Sequence, residues 1–204
     1  MYIARLWIGF VFLAVPGLTL ILILSVFRPF HRNNMGVMCI FITRVMTFYW
    51  GVKFEYENEE RLTPDQTSVI IANHQDTHDL FFAESAIRRG TVALGKWELV
   101  YIPVIGLIFY LGGNIMIKRS HKEKAQQALA RAGRELVEKS MSVLIFPEGT
   151  RNRGKPLHFK LGAFKLAIEA GVPIQPVCFS LRHTTMNYLN LRSGTIKVKC
   201  LDPI

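Results

Sequence analysis

The sequence predicts an α/β fold: a central, largely parallel or mixed sheet with helices on both faces, preceded by an N-terminal helical segment that anchors the chain to a membrane. After residue 51, short β-branched runs alternate with helical segments, as in βαβ units. The first fifty residues contain no Asp or Glu, and half of all 204 residues are apolar. We therefore expect a membrane anchor over residues 1–50 and one α/β domain over residues 51–204.

The anchor is predicted to begin with an apolar helix over residues 6–27. Trp7 to Phe27 contains no charged residue, and a helix of that length crosses a hydrocarbon core at about 1.5 Å per residue. Pro16-Gly17 lies in its middle and either kinks the helix or turns it into a re-entrant hairpin. A cleaved signal peptide is the disfavoured alternative, because the run is longer than a usual signal core and no small-x-small cleavage site follows.

Charge predicts the orientation of this anchor. Arg28 and Arg32 directly follow the apolar run, so its C-terminal end should be cytoplasmic. Residues 35–50 are apolar and aromatic but include Arg44, and a second crossing would place the α/β domain on the far side. We therefore expect residues 35–50 to form an interfacial helix, with the domain facing the cytoplasm at the inner membrane.

The α/β domain is predicted from alternating hydrophobic periods. Strands are expected over residues 52–56, 68–72, 91–94, 114–117, 143–146, 174–179 and 195–201. Helices are expected over residues 80–89, 121–139 and 162–170, and the apolar stretch 97–111 lies between two strands. Gly90 and Gly171 directly follow two of these helices, as C-terminal glycines commonly do.

Composition restricts the partners. Lys and Arg exceed Asp and Glu by 25 − 15 = 10, so the surface should attract nucleic acid, anionic lipid head groups or a phosphorylated substrate. The three cysteines are widely spaced and form no Cys-x-x-Cys pair, which indicates neither a structural zinc site nor a disulfide framework.

A histidine and a carboxylate follow the predicted strand 68–72. His74 and Asp79 would be about 140° apart on one continuous helix, so they meet only if His74 lies in the loop and Asp79 in the first helical turn, with Thr77 as N-cap. Asp79 would then orient the imidazole as a base. The alternatives are a surface His with a helix-capping Asp, or a metal site that adds Asp76 and His78. The metal site is disfavoured, since the chain has no His-Glu-x-x-His motif.

Cations follow two other predicted strands. Glu148-Gly149-Thr150-Arg151 comes after strand 143–146, and Lys118-Arg119 comes after strand 114–117. Arg offers a planar fork to phosphate, and Gly lets the backbone approach a ligand. Because the carboxyl ends of parallel strands share one edge of a sheet, we expect these groups to converge with His74 on an anion site.

Four sequence blocks resemble a known family in order and spacing. They are Asn73-His74-x-x-x-x-Asp79, Gly113-x-x-x-Ile117-x-Arg119, Phe146-Pro147-Glu148-Gly149-Thr150-Arg151 and Val172-Pro173-Ile174-Gln175-Pro176-Val177. These blocks cover about residues 65–180 and resemble the glycerolipid acyltransferases, most closely the bacterial 1-acyl-sn-glycerol-3-phosphate acyltransferases. The chain differs from the family at Lys118, where Asp is common, and in a C-terminus shorter than expected.

This resemblance implies roles for the acid-base pair and the cations. His74 would be the general base on the sn-2 hydroxyl of lysophosphatidic acid, and Asp79 would orient it. Arg119 and Arg151 would hold the phosphate, and Glu148 would contact the glycerol backbone or Arg151.

Three further residues belong to the implied substrate site. Gly149 and Thr150 would line it, and Lys96 would add to the positive field. The stretch 97–111 would either line an acyl tunnel or serve as core or membrane-facing surface.

The resemblance also implies the reaction and its partners. The acyl donor would be acyl-CoA or acyl-carrier protein, and the product would be phosphatidic acid, formed at a membrane surface without an acyl-enzyme, metal, cofactor or nucleic acid. Another lysolipid or glycerol 3-phosphate is the alternative acceptor. A metal-dependent hydrolase and a non-catalytic lipid-binding membrane protein are the remaining alternatives.

Overall fold

The computed structural model describes the chain except residues 1, 63–65, 77, 80–85, 87–89, 119–121, 153–154, 188–189 and 191. The described residues form six α-helices and one sheet of seven strands. The helices are α1 (Tyr2–Phe27), α2 (Asn33–Trp50), α3 (Ile105–Leu111), α4 (Lys122–Glu138), α5 (Gly162–Ala170) and α6 (Arg182–Thr185). The strands are β1 (Val52–Glu57), β2 (Val69–Ala72), β3 (Thr91–Lys96), β4 (Ile115–Ile117), β5 (Ser142–Ile145), β6 (Ile174–Phe179) and β7 (Gly194–Cys200).

The sheet has the order β1-β7-β6-β2-β5-β3-β4. Every neighbouring pair is parallel except β6 and β7. The carboxyl ends of β2 to β6 therefore lie along one side of the sheet, which we call the carboxyl edge. This topology confirms the predicted mixed, largely parallel sheet, and the carboxyl edge is where open α/β sheets bind their ligands.

Helices cover both faces of the sheet, as predicted. Alternate residues of a strand point to opposite faces; Ile70 of β2 packs in the cluster formed with α1 and α2, whereas Val69 packs in the cluster formed with α4 and α5. All four residues of β2 and of β5 are buried. Such two-sided burial explains why these strands read as continuous apolar runs.

Helix α1 runs without interruption through Pro16, so the hairpin alternative does not occur. It packs along α2 and α3. A Cβ on Gly9 would lie 2.6 Å from Cε1 of Tyr49, so this close approach to α2 requires glycine. Trp7–Phe27 is long and apolar enough to cross a membrane, with a mean hydropathy of 2.6 and only 12% of its length buried. A core helix of a soluble protein would be mostly buried instead.

Helix α2 lies between α1 and the sheet. Met35, Met38, Cys39 and Ile42 are buried in the same cluster as Ile21 of α1 and apolar residues of the central strands. The segment predicted to be an interfacial helix over residues 35–50 therefore also supplies core to the α/β domain. Its contact with a membrane stays a prediction.

The remaining predicted elements agree closely with the structure. Each predicted strand is present, with ends that differ by at most two residues. The apolar stretch 97–111 forms a 3-10 helix (Trp97–Tyr101) followed by α3. The helix predicted over residues 80–89 lies almost wholly outside the described residues.

Candidate active site

Strand β2 brings His74 to the carboxyl edge. The residue before it, Asn73, fixes the loop: its Nδ2 donates to the Phe179 carbonyl (3.0 Å), and its Oδ1 accepts the Phe179 N–H (2.8 Å). This pair of hydrogen bonds continues the ladder between β2 and β6 beyond the last residue of β2. His74 therefore starts from a rigid backbone rather than from a mobile loop.

The predicted contact between His74 and Asp79 is present. Nδ1 of His74 donates to Oδ2 of Asp79 over 2.6 Å. The same oxygen accepts the backbone N–H groups of Gln75 (2.6 Å) and Asp76 (3.1 Å). The Asp79 side chain is 1% exposed and that of His74 is 20% exposed. Because an ionised carboxylate only accepts hydrogen bonds, Nδ1 carries the proton and Nε2 is left as the basic nitrogen.

Strand β5 supplies the other supports of His74. The Phe146 ring stacks on the imidazole, with centroids 4.3 Å apart and planes 18° apart. Oε2 of Glu148 accepts the His74 N–H (3.3 Å), and Oε1 accepts Nδ2 of Asn152 (2.9 Å). The N–H of Asn152 in turn donates to the His74 carbonyl (2.7 Å). Glu148 is buried and each of its oxygens accepts a hydrogen bond within the protein; its contact with glycerol or Arg151 stays a prediction.

Arg182 is a further member of this cluster that the sequence did not predict. It is the first residue of α6, directly beyond β6, and its side chain is 1% exposed. Its Nη2 forms an ion pair with Oδ1 of Asp79 and lies 3.1 Å from Oδ1 of Asp76. A guanidinium therefore faces the side of Asp79 opposite to the imidazole.

Asp76 is ionised in this setting. Burial acts to raise the pKa of Asp76, but the hydrogen bond from His78 and the positive charge of Arg182 outweigh it and hold that pKa well below its usual range. Nδ1 of His78 lies 3.1 Å from Oδ1 of Asp76, so His78 pairs with Asp76 rather than with His74.

The four residues considered as metal ligands are thus divided into the pairs His74–Asp79 and His78–Asp76, and Arg182 faces both carboxylates. Among the described residues, no group of three or more His, Cys, Asp or Glu side chains could hold a metal ion.

The polar block after β5 forms a tight turn on the other side of His74. The Gly149 N–H donates to the Phe146 carbonyl (3.0 Å), and Gly149 has a φ of +70°. The side chain of Lys160 lies over this glycine: a Cβ there would be 2.8 Å from Nζ. Thr150, Arg151 and Lys160 are all exposed. Lys160 was not predicted from the sequence.

The remaining predicted cations lie farther along the carboxyl edge. Lys96 is exposed at the end of β3, next to β5 in the sheet. Lys118 follows β4, and its Nζ lies 5.0 Å from the centroid of the Trp97 ring. Arg119 lies outside the described residues.

Comparisons with known proteins show the family of this chain. The Acyltransferase family model matches residues 53–180. This chain belongs to the acyltransferase family. The 1-acyl-sn-glycerol-3-phosphate acyltransferase of Haemophilus influenzae is 33% identical over 95% of this chain and 82% of that protein. The Escherichia coli protein of the same name is 34% identical over 89% and 74%, respectively. These relatives confirm the resemblance predicted from the four blocks.

A solved structure supports the same fold. The 1-acyl-sn-glycerophosphate acyltransferase PlsC of Thermotoga maritima aligns with a TM-score of 0.65 over 99% of this chain and 86% of that one, at 24% identity. The alignment therefore includes the N-terminal helices as well as the sheet.

Proposed function

We propose that the protein transfers a fatty acyl group to the sn-2 hydroxyl of 1-acyl-sn-glycerol 3-phosphate and so forms phosphatidic acid for phospholipid biosynthesis. The observation that carries this proposal is the 2.6 Å contact between His74 and Asp79 beside the Glu148–Arg151 turn, which includes the exposed Arg151 and lies under the side chain of Lys160. Acylation of a phosphorylated alcohol requires a base for its hydroxyl and a cation that binds its phosphate. The relatives named as 1-acyl-sn-glycerol-3-phosphate acyltransferases support the same acceptor.

The chemistry follows from the tautomer of His74. Nε2 accepts the proton of the acceptor hydroxyl while the oxygen attacks the thioester carbonyl of the donor, which is acyl-CoA or acyl-carrier protein. The tetrahedral intermediate collapses with cleavage of the C–S bond, and the imidazolium returns its proton to the departing thiolate. A new ester bond replaces the thioester, and no acyl-enzyme forms.

The acceptor phosphate is proposed to bind at the turn after β5. Arg151 offers a bidentate guanidinium, and Lys160 places an ammonium over Gly149, whose lack of a side chain leaves room for it. Thr150 adds a hydroxyl, and Arg119 and Lys96 stay predicted contributors. Because both Glu148 oxygens have protein partners, Glu148 is proposed to hold the turn against His74 instead of contacting the glycerol.

The N-terminal helix is proposed to attach the enzyme to the membrane that contains its acceptor. Large apolar side chains are exposed along α1, on α2 and around α3, namely Trp7, Phe12, Val15, Ile23, Val26, Phe27, Ile40, Phe48, Tyr101, Ile102, Leu107 and Tyr110. An apolar surface of this extent is typical of contact with lipid. The exposed part of 97–111 supports a membrane-facing role for that stretch over an acyl tunnel.

The proposed location is the cytoplasmic face of the inner membrane. Arg28 and Arg32 after the apolar helix support this side, and donor thioesters are cytoplasmic metabolites. Because α1 packs along α2 and α3, the membrane that holds α1 also holds the sheet close to its surface.

The acceptor is tested by thiol release from an acyl thioester with detergent-purified protein. Lysophosphatidic acid should support release, and monoacylglycerol, which lacks the phosphate, should be a far poorer acceptor. Glycerol 3-phosphate and other lysophospholipids test the alternative acceptors. EDTA should leave the rate unchanged, and release in the absence of any acceptor would indicate a hydrolase. A monoacylglycerol rate above the lysophosphatidic acid rate would overturn the proposal.

A further inference from the structure

We infer that Arg182 is a positioning residue for acyl transfer: its guanidinium holds the Asp79 carboxylate in an orientation that directs Nε2 of His74 at the acceptor, and its charge keeps that nitrogen unprotonated. The inference rests on the proposed function and extends it to a residue outside the four sequence blocks. Arg182 contacts Asp79 and Asp76, and its effect on the reaction passes through Asp79.

Arg182 is buried, and the two carboxylates beside it explain how a buried position can hold a guanidinium. A guanidinium is almost never fully buried unless a charge compensates it, and Arg182 is 1% exposed. Its Nη2 lies between Oδ1 of Asp79 and Oδ1 of Asp76. The cation therefore neutralises a pair of carboxylates that would otherwise repel each other beside the imidazole.

The backbone around Arg182 is tied to the loop that carries His74. Oε1 of Gln75 accepts the Arg182 N–H (2.9 Å), and Nε2 of Gln75 donates to the Ser180 carbonyl (2.9 Å). The Gln75 N–H donates to Oδ2 of Asp79 (2.6 Å). The ends of β2 and β6 thus form one closed network, with Arg182 on its β6 side and His74 on its β2 side.

The two oxygens of Asp79 have different partners. Oδ1 faces Arg182, and Oδ2 accepts from His74 Nδ1 and two backbone N–H groups. A carboxylate held on both oxygens cannot rotate, so it fixes the direction of the Nδ1–H bond. Stacking on Phe146 fixes the plane of the same ring. The position of Nε2, on the opposite side of the ring, is thereby fixed through Nδ1 and through the ring plane.

The charges around His74 predict the direction in which each variant changes the protonation of its imidazole. Among the described residues, Asp79, Asp76, Arg182 and Glu148 are the charged groups on the buried side of the imidazole, with His78 paired to Asp76. The exposed cations Arg151 and Lys160 belong to the turn after β5 and are left unchanged in the variants below. Removing the cation leaves the negative charge of the carboxylates uncompensated, which favours the protonated imidazole. The imidazole then stays protonated, and cannot act as a base, up to a higher pH. Removing the Asp76 charge has the opposite effect.

The test measures kcat, KM and the pH dependence of kcat/KM for acceptor-dependent thiol release in three variants. In Arg182→Met we expect kcat to fall about 10- to 100-fold, with little change in the KM for the acceptor or for the donor. The acidic limb of the pH profile of kcat/KM, where the rate falls as the base becomes protonated, should move up by about 0.5–1 pH unit. Arg182→Lys should return the limb toward the wild-type position. Asp76→Asn should move it to lower pH. Arg134→Met, which removes an exposed arginine of α4, is the matched control and should change nothing.

A loss of kcat in Arg182→Met with no movement of the limb, and no opposite movement in Asp76→Asn, would assign Arg182 a structural role only and overturn the inference. If Arg182→Met does not give folded protein, Arg182→Gln takes its place, with the same expected movement of the limb and the same contradicting result. Titration of the substrate phosphate is common to all variants and cancels in the comparison. A wild-type protein without acceptor-dependent thiol release would instead refute the proposed function.

Discussion

The two sides of the candidate active site are built differently. On the β2–β6 side, His74, Asp79 and Arg182 are joined by short hydrogen bonds and a buried ion pair. On the β5 side, Arg151 and Lys160 are exposed. The proposed base is therefore held in place before any substrate arrives, whereas the proposed phosphate-binding cations are long, exposed side chains whose geometry would be set by the anion they bind.

This difference separates the expected effects on kinetics. A group aligned in advance acts on the chemical step, so its loss should appear mainly in kcat. An exposed cation contributes to acceptor binding in both ground and transition states, so its loss should appear mainly in KM. Surface charges are also screened by salt, and buried pairs are screened much less.

The largest effect is expected at the base. His74→Ala should lower kcat about 10²–10⁴-fold, because it removes the proposed general base. Steady-state thiol release with saturating lysophosphatidic acid measures it. His183→Ala, which removes an exposed histidine of α6, is the control and should retain wild-type activity.

The next effect is on stability. Arg182→Met should destabilise the fold by about 3–5 kcal/mol, because it leaves the buried Asp79 carboxylate without its cation. Arg151→Met should change stability by less than about 0.5 kcal/mol, since Arg151 is exposed. Unfolding of both variants in the same detergent measures the difference. Equal stability of the two would contradict the contrast between the two sides.

Arg151→Ala should raise the KM for lysophosphatidic acid about tenfold, the loss of one charge-assisted phosphate contact. The KM for the thioester should change much less. Initial rates over a matrix of both substrates distinguish the two, with Arg134→Ala as control. Equal increases for acceptor and donor would assign Arg151 to both substrates and remove its proposed phosphate role.

Lys160→Met should have a smaller effect, a rise of about threefold in the acceptor KM, because an exposed ammonium makes a single screened contact. The wild-type acceptor KM should rise with salt, and that rise should be weaker in the variant. The same salt titration on both proteins is the measurement. A salt response identical to wild type would place Lys160 outside the phosphate site.

The smallest effect concerns Asp76. Its pKa is lowered in the folded protein, so the ionised carboxylate stabilises the fold above about pH 4 and this contribution is lost as the pH falls further. Asp76→Asn should therefore be less stable than wild type near pH 7, and the difference should shrink toward pH 3. Thermal unfolding at both pH values checks this. A difference that stays constant with pH would contradict it.

Much of the sheet could be predicted because buried strands leave a local pattern. β2 and β5 are continuous apolar runs with polar residues directly after them, and those polar residues are the site. The contact between His74 and Asp79 could be predicted because both lie in one short loop. Its detail, the shared Oδ2 with two backbone N–H groups, depends on a loop conformation that spacing alone does not determine.

Arg182 and Lys160 could not be predicted for a different reason. Arg182 reaches Asp79 only because β6 lies beside β2 in the sheet, a long-range pairing without local signal. The side chain of Lys160 lies over Gly149, which is distant in the sequence, and no local pattern indicates this contact. The sequence indicates only that Arg182 and Lys160 each follow a strand that ends at the carboxyl edge. The burial of α2 was missed because an apolar helix face suits a sheet as well as a lipid surface.

The most direct test of the general-base role is chemical rescue of His74→Gly by imidazole. The variant should be nearly inactive, and added imidazole should restore acceptor-dependent thiol release in proportion to its unprotonated fraction, while Asp79 remains in place to accept the Nδ1 proton. A His74→Gly protein that keeps more than about a tenth of the wild-type rate without imidazole would contradict the role of His74, because a lost general base costs at least ~10²-fold.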